Sequence, residues 1–241
     1  MLDCQVCIPA RLGSRRLPNK LLRKVNQKTL LECTWERVNR QDYSKAPFVC
    51  TDSRQIEEEC FRIGAPCKRF EGEFSCGTDR CAAACLGLDP EVVVVNVQAD
   101  EVNLNPYAIE VTARAVSHGA LVATVAAPLP AEQTLDPNVV KVVLNEARLA
   151  MYFSRSMLPW ARETIAQPGN FWLMHVGVYA MKNLTLQNFA GWGPAAIELL
   201  EGLEQLRFLW HGTPIFVQTL GAHGRSINTE TDLASLVRGE I

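Results

Sequence analysis

Five valines in the six residues from Val92 to Val97, interrupted only by Asn96, constrain the fold of this chain more than any other feature. β-Branched side chains favour extended backbone, and a run without apolar-polar alternation offers no face that can be left to water. Such a strand belongs inside a parallel sheet covered by helices on both sides. Val6-Cys7-Ile8 reads the same way. Between the two, helix patterns at Leu30 to Val38, Ser53 to Ile63 (Ser53 as cap) and Thr78 to Leu86 alternate with strand patterns at Phe48 to Cys50 and Pro66 to Phe70. This order specifies a doubly wound α/β sheet.

Beyond Asp100 the texture changes. Pro106 to Val116 reads as a helix with proline in its first turn, and Leu121 to Ala127 as a strand. Val139 to Leu144 and Leu149 to Phe153 read as a hairpin, Met174 to Met181 as a strand, and Ile197 to Trp210 as one periodic helix. Ile215 to Leu220 and Thr229 to Val237 then supply a strand and a closing helix. The expectation is a single domain over 1–241, a doubly wound mixed sheet with an inserted smaller sheet.

With 241 residues, 48% apolar, such a core can be filled. No run of about 18 apolar residues could span a bilayer, and Met1-Leu2-Asp3-Cys4 lacks a secretory pattern, so a cytoplasmic protein without membrane insertion is expected. A net charge of −2 argues against a general nucleic-acid binder. The nine cysteines complete no zinc-type spacing and read as small core residues in a reducing compartment; Cys4 and Cys7, three apart in a strand, point to opposite faces. Glu57-Glu58-Glu59 reads as a solvated helix face.

The near-neutral average hides a local excess. From Gln5 to Leu31 there is no acid, while seven Arg and Lys fall in the 18 residues from Arg11 to Lys28. Ligands of open α/β sheets bind beyond the carboxyl ends of the strands, which selects the loop Pro9 to Lys20 and the segment Asn96-Val97-Gln98-Ala99-Asp100-Glu101. In the loop, Arg11, Arg16 and Lys20 could surround a polyphosphate, although neither the P-loop nor the dinucleotide spacing is present; the alternative is a solvated basic loop. Asp100 could hold Mg²⁺ against phosphate oxygens or simply turn the chain.

Six blocks in order carry a family resemblance. Pro9-Ala10-Arg11 through Ser14, Arg16-Leu17-Pro18 and Lys20, then Cys76-Gly77-Thr78-Asp79-Arg80, Asn96 to Glu101, and Tyr152-Phe153-Ser154-Arg155 with Pro159-Trp160 are four of them. His175-Val176-Gly177-Val178-Tyr179 and Leu203-Glu204-Gln205-Leu206-Arg207 complete the set. Together they resemble the 3-deoxy-manno-octulosonate (Kdo) cytidylyltransferases, also called CMP-Kdo synthetases. The resemblance implies a Rossmann-like α/β fold of the nucleotide-diphospho-sugar transferase type and a homodimer. It implies CTP and a Kdo-like sugar acid as partners, Mg²⁺ as cofactor, and an activated sugar for lipopolysaccharide as product.

By position it implies Arg11, Lys20 and Asp100 as catalytic, and Pro9, Ala10, Arg11, Arg16, Lys20, Gly77, Thr78 and Gln98 as nucleotide-binding. Gln98, Arg162, His175, Tyr179, Glu204 and Gln205 fall in the sugar pocket, and Asp100 and Asn228 at the metal. Without the resemblance, His175 reads as a core histidine, and Glu204 and Gln205 as the wet face of a helix. The chain also departs from the family pattern. Ser226-Ile227-Asn228-Thr229-Glu230 carries an amide where the family has a second metal-ligating aspartate. Asn19 replaces a usual glycine, and Ala99 and Val102 alter the usual Gln-Gly-Asp-Glu-Pro. These departures leave open another acceptor acid, such as a nonulosonate or phosphonate, or a non-catalytic nucleotide-binding relative.

Overall fold

The two valine-rich segments become neighbouring central strands. The structure, a computed structural model, describes residues 1–14, 17–162, 171–221 and 226–239; the nominated Arg16 lies outside them. In chain order the first half contains β1 (Gln5–Ala10), β2 (Lys24–Val25), β3 (Lys28–Thr29), α1 (Leu30–Val38), β4 (Phe48–Thr51), α2 (Arg54–Ile63), β5 (Cys67–Arg69), α3 (Gly77–Ala84) and β6 (Val93–Val97). Then follow α4 (Tyr107–Ser117), β7 (Val122–Pro128), β8 (Lys141–Leu144), β9 (Ala150–Ser154), β10 (Leu173–Lys182), α5 (Asn183–Trp192), α6 (Ala196–Glu201), α7 (Leu206–Trp210), β11 (Ile215–Thr219) and α8 (Glu230–Arg238).

The main sheet runs β11-β7-β10-β6-β1-β4-β5, with the β8-β9 hairpin attached to β10. β1 pairs in parallel with both β4 and β6, and β11 in parallel with β7. β10 runs against both its neighbours, β6 and β7. Since Val178 pairs with Val97 and Lys182 with Val93, the first half of β10 lies at and beyond the carboxyl end of β6. That inversion delivers residues 173–178 to the edge where α/β sheets bind ligands.

Alternating side chains of the central strands fill two cores. Val6, Ile8, Val95 and Val97 meet α1, α2 and α4 on one face; Cys7, Cys50 and Val94 meet α3, α5 and α7 on the other. Cys4 and Cys7 do fall in opposite cores. A third cluster of Leu17, Val25, Leu30, Val102, Ile227 and Leu233 seats α8 against the basic loop.

Three expectations are corrected. Ile197 to Trp210 is two helices, because Gly202 adopts φ +63° and its N–H returns to the Glu198 carbonyl, a left-handed cap that ends α6. Helix α5 had not been anticipated: Leu186 and Phe189 anchor it, but Leu184 faces out and no side chain caps its start. Glu59 is not solvated. It is 9% exposed, accepts from the Thr29 hydroxyl (2.6 Å) and pairs with Arg62 (2.7 Å), thereby bracing the threonine that caps α1.

Arg207 ties the helical layer together. It is fully buried, donates to Asp79 on α3 (2.8 Å) and Glu198 on α6 (2.7 Å), and stacks 4.0 Å over Phe189 of α5. Removing one side of a buried pair strands the other charge, which costs about 3–5 kcal/mol. Arg207→Ala is therefore expected to lower the urea midpoint by that free energy with the denaturant slope unchanged; a shift comparable to a surface substitution would contradict this role.

Candidate active site

At the carboxyl edge, the basic loop turns back so that Lys20 reaches β6. Asn19 makes this turn at φ +53°, a left-handed conformation that asparagine tolerates and glycine favours, which explains the residue found there. Lys20 is 8% exposed; its ammonium donates to Asp100, just past β6, and to Asn228 Oδ1 (3.2 Å), just before α8. Two oxygens from segments far apart in sequence thus converge on one cation. Asn228 is held in turn by its backbone N–H on Asp232 Oδ2 (2.9 Å), within the capping box that starts α8.

The loop 98–101 is fixed by Glu101. This acid is 2% exposed and accepts from the Gly177 N–H (2.8 Å) and the Ser226 hydroxyl (2.8 Å). Gly177 sits in the β10 irregularity between Val176 and Tyr179, and Gln98 N–H bonds its carbonyl (2.8 Å). A Cβ at 177 would lie 2.7 Å from Gln98 Oε1 and 2.8 Å from Glu101 Oε1, so this approach requires glycine.

Helix α3 begins beside the end of β1. A Cβ on Gly77 would meet Pro9 Cγ at 3.2 Å. The Thr78 N–H, an orphan donor of the first turn, bonds Glu204 Oε2 (3.0 Å), and its hydroxyl accepts from Asn96 Nδ2 (2.9 Å). Asp79 goes to Arg207, and Arg80 pairs with Asp52 (2.6 Å). Glu204 therefore caps the start of α3, a role its place before α7 did not reveal.

Across the sheet, Tyr179 pairs with Asn96. The buried Tyr179 hydroxyl and Asn96 Oδ1 both lack a hydrogen-bond partner, and such a pair is costly unless a ligand or water completes it. Burial, then the nearby Glu204, Glu101 and Cys76, push the phenol up, so it remains a hydroxyl donor. His175 lies against Tyr179 (ring centroids 5.0 Å) and edge-on to Phe153 (5.3 Å). Its Nε2 is 2.9 Å from Thr124 Oγ1, whose own hydrogen goes to the Val178 carbonyl (2.6 Å). Nε2 therefore donates, and Nδ1 is the acceptor of a neutral ring. Burial pushes this imidazole down to about 3.

The nominated residues thus fall in three connected groups. Arg11, exposed at the end of β1, enters a cleft of about 490 Å³ with Leu12, Gly13, Asp52, Ser53, Phe74 and Arg80. Lys20, Asp100 and Asn228 form the second. Pro9, Gly77, Thr78, Glu204, Tyr179 and His175 form the third, with Gln98 beside Gly177 between them. Ala10 and Gln205 are buried, at the end of β1 and the start of α7. Arg162 is exposed, and no described contact joins it to the others. Glu101, Asn96, Asp52 and Arg80 had not been singled out as site residues; the first two and Arg80 lie in the blocks that carry the resemblance, whereas Asp52 follows β4, outside them.

Comparison with known proteins bears on the family and the fold. Residues 5–217 match the family model described as cytidylyltransferase. The chain is 41% identical, over 97% of its length and 96% of the relative's, to a 3-deoxy-manno-octulosonate cytidylyltransferase of Pseudomonas fluorescens. It is 39% identical, over 97% of each chain, to one of Herminiimonas arsenicoxydans. Among solved structures, a CMP:2-keto-3-deoxy-manno-octonic acid synthetase complexed with CTP superposes with a TM-score of 0.86 at 29% identity over 98% of each chain. A 4-diphosphocytidyl-2C-methyl-D-erythritol synthase (TM-score 0.65, 11% identity, 98% of each chain) shares the fold alone.

Two outcomes follow for the site. Gly177→Ala is expected to cost about 1–3 kcal/mol by overpacking against Gln98 and Glu101, read from urea unfolding; an unchanged midpoint would contradict the close approach. Because the native state holds His175 neutral while the unfolded chain binds its proton, stability should fall as pH drops from about 6.5 towards about 3. His175→Gln should flatten that part of the pH profile, and an identical slope in the variant would contradict the burial.

Proposed function

The chain belongs to the cytidylyltransferases, among the 3-deoxy-manno-octulosonate cytidylyltransferases, and on that premise we propose that it transfers CMP from CTP to the anomeric hydroxyl of Kdo, releasing pyrophosphate. The observation that carries this reading is the convergence of Lys20, Asp100 and Asn228 at the end of β6. A triphosphate arriving there gives Lys20 a second anionic partner, and Arg11 enters the same loop from the cleft side. The anomeric oxygen attacks the α-phosphorus in line and gives up its proton to water; that bond forms as the bond from the α-phosphorus to the α,β-bridging oxygen breaks, and charge accumulates on pyrophosphate. Positioning and fixed cations lower this barrier without a covalent intermediate.

Hard oxygen donors suit Mg²⁺, and the Asp100 carboxylate with the Asn228 amide oxygen offers such a set once Lys20 engages phosphate. When bound there, the ion neutralises phosphate oxygens. Asn228 contributes no charge, so its hold on the ion is weaker than an aspartate's.

The nucleoside fits along Pro9, Ala10, Gly77 and Thr78, with Asn96 Oδ1 and Gln98 as polar partners. The sugar acid fits against Tyr179, which donates, and His175 Nδ1, which accepts. At neutral pH His175 carries no charge, so it orients a hydroxyl and does not bind the carboxylate; Arg162 is the proposed carboxylate partner. Arg16 is proposed to add a further phosphate contact.

A homodimer is proposed through β9 and α6, joined by Ser154 on Glu201 (2.6 Å), because Met151, Leu199 and Leu200 stand exposed on them. The nine free thiols favour the reducing cytoplasm, where the product would feed lipopolysaccharide assembly. Among the described residues no helix is long and apolar enough to cross a membrane.

Pyrophosphate release from CTP plus Kdo, with and without Mg²⁺ and beside a panel of nonulosonates and phosphonates, tests the proposal. Turnover with Kdo is expected; CTP binding with no turnover of any acceptor would overturn it. Asp100→Ala should lower kcat about a thousandfold or more. Asn228→Asp should lower the Mg²⁺ concentration for half-maximal rate, and an unchanged requirement would remove residue 228 from the metal.

A further inference from the structure

Three thiols from three elements meet behind the nucleotide end of the sheet, with a fourth just past the end of α3. The sulfurs of Cys7 on β1 and Cys50 on β4 are 3.2 Å apart. Cys81 on α3 joins them so that all three sulfurs lie within 4.8 Å of one another. Cys85 follows one helical turn beyond Cys81, its N–H on the Cys81 carbonyl (2.9 Å). All four are fully buried. The arrangement follows from the register: Pro9 pairs with Cys50, so Cys7, two residues before Pro9, shares its face and lies diagonal to Cys50 under α3.

A tetrahedral thiolate site with metal–sulfur bonds of about 2.3 Å separates its sulfurs by about 3.8 Å. The sulfurs of Cys7, Cys50 and Cys81, 3.2 Å apart for the first two and all within 4.8 Å of one another, bracket that value, and Cys85 would have to move in to complete the set. Soft sulfur ligands select soft ions and disfavour the Mg²⁺ proposed at Asp100. Two cations flank the cluster. Lys68 donates to the Ala84 carbonyl (2.8 Å), beside Cys85, and lies 4.3 Å from the Phe48 ring centroid; Arg80 precedes Cys81 and is 3% exposed. Lys68 would offset part of the negative charge of a metal–thiolate centre, while Arg80 is already paired with Asp52 (2.6 Å).

We propose that Cys7, Cys50, Cys81 and Cys85 form a structural site for one thiophilic ion of the Zn²⁺ type, clamping α3 to β1 and β4. The clamp sets the distance between the end of β1, with Pro9, and the first turn of α3, with Gly77 and Thr78. It is thus a fastening behind the site, independent of the acceptor and of the transfer reaction. Because every ligand is buried, the ion enters as the chain folds, with release of thiol protons.

The test uses the full chain. Protein produced in zinc-supplemented medium and purified under reducing conditions is analysed for bound metal. A second sample is unfolded and refolded anaerobically with Co²⁺ alone. Stoichiometric zinc that survives dialysis against chelator, and an intense near-ultraviolet thiolate-to-cobalt band with the visible bands of tetrahedral Co²⁺, are expected. Cys50→Ala and Cys81→Ala should each lose the band, while Cys33→Ala, on α1, should keep it. The wild-type spectrum is decisive even if a core variant fails to fold. Wild-type protein that refolds fully with Co²⁺ yet shows no thiolate band would overturn the proposal. So would a band that persists in both core variants, or peptide mapping that finds Cys7 and Cys50 joined as a disulfide in the purified protein.

Discussion

The buried carboxylate of Glu101 is the constraint on which the site depends. An acid at 2% exposure is tolerated only if its oxygens are satisfied, and here the partners come from Gly177 in β10 and Ser226 near the C-terminal helix. One side chain therefore fixes the loop after β6, the irregularity in the antiparallel strand and the segment that carries Asn228. Gly177 makes this possible, since any Cβ would occupy the space of Gln98 and Glu101. The β10 residues proposed to face the sugar and the 98–101 loop proposed to face phosphate are positioned by the same contact.

Around that fixed point the charges are arranged to be exchanged. Lys20 is held by Asp100 and Asn228, and the proposed triphosphate would offer it a further anionic partner. Had residue 228 been an aspartate, two carboxylates would have faced a single ammonium; with asparagine the pair is balanced. The same substitution that lightens the demand on Lys20 would reduce the charge available to a divalent ion. Elsewhere the polar atoms are prearranged: a neutral histidine with a fixed tautomer, a phenol that stays protonated, and an amide oxygen awaiting a donor.

Strongly periodic segments were legible in the sequence because their energetics are local. The valine runs, the Ser53 cap and the acid-free loop all declare themselves within a few residues. Gly202 was harder to read, since Ile197, Leu203 and Trp210 keep a helical spacing through it while a left-handed cap changes the axis. Helix α5 has too few inward anchors to announce a period. Glu59, Glu204 and Arg80 sit on solvent-like patterns and are claimed by partners distant in sequence. The thiol cluster is invisible to spacing because its members come from two strands and a helix. His175 and Glu204 were identified through the family blocks alone; the residues themselves favoured bland roles.

The central claim is that the site orients and neutralises but forms no bond to the transferred group. The configuration of the product made from CTP bearing a chiral α-thiophosphate tests it most directly. Single in-line displacement predicts inversion at phosphorus in the sugar-linked product, whereas retention would require an intermediate on the protein and contradict the account.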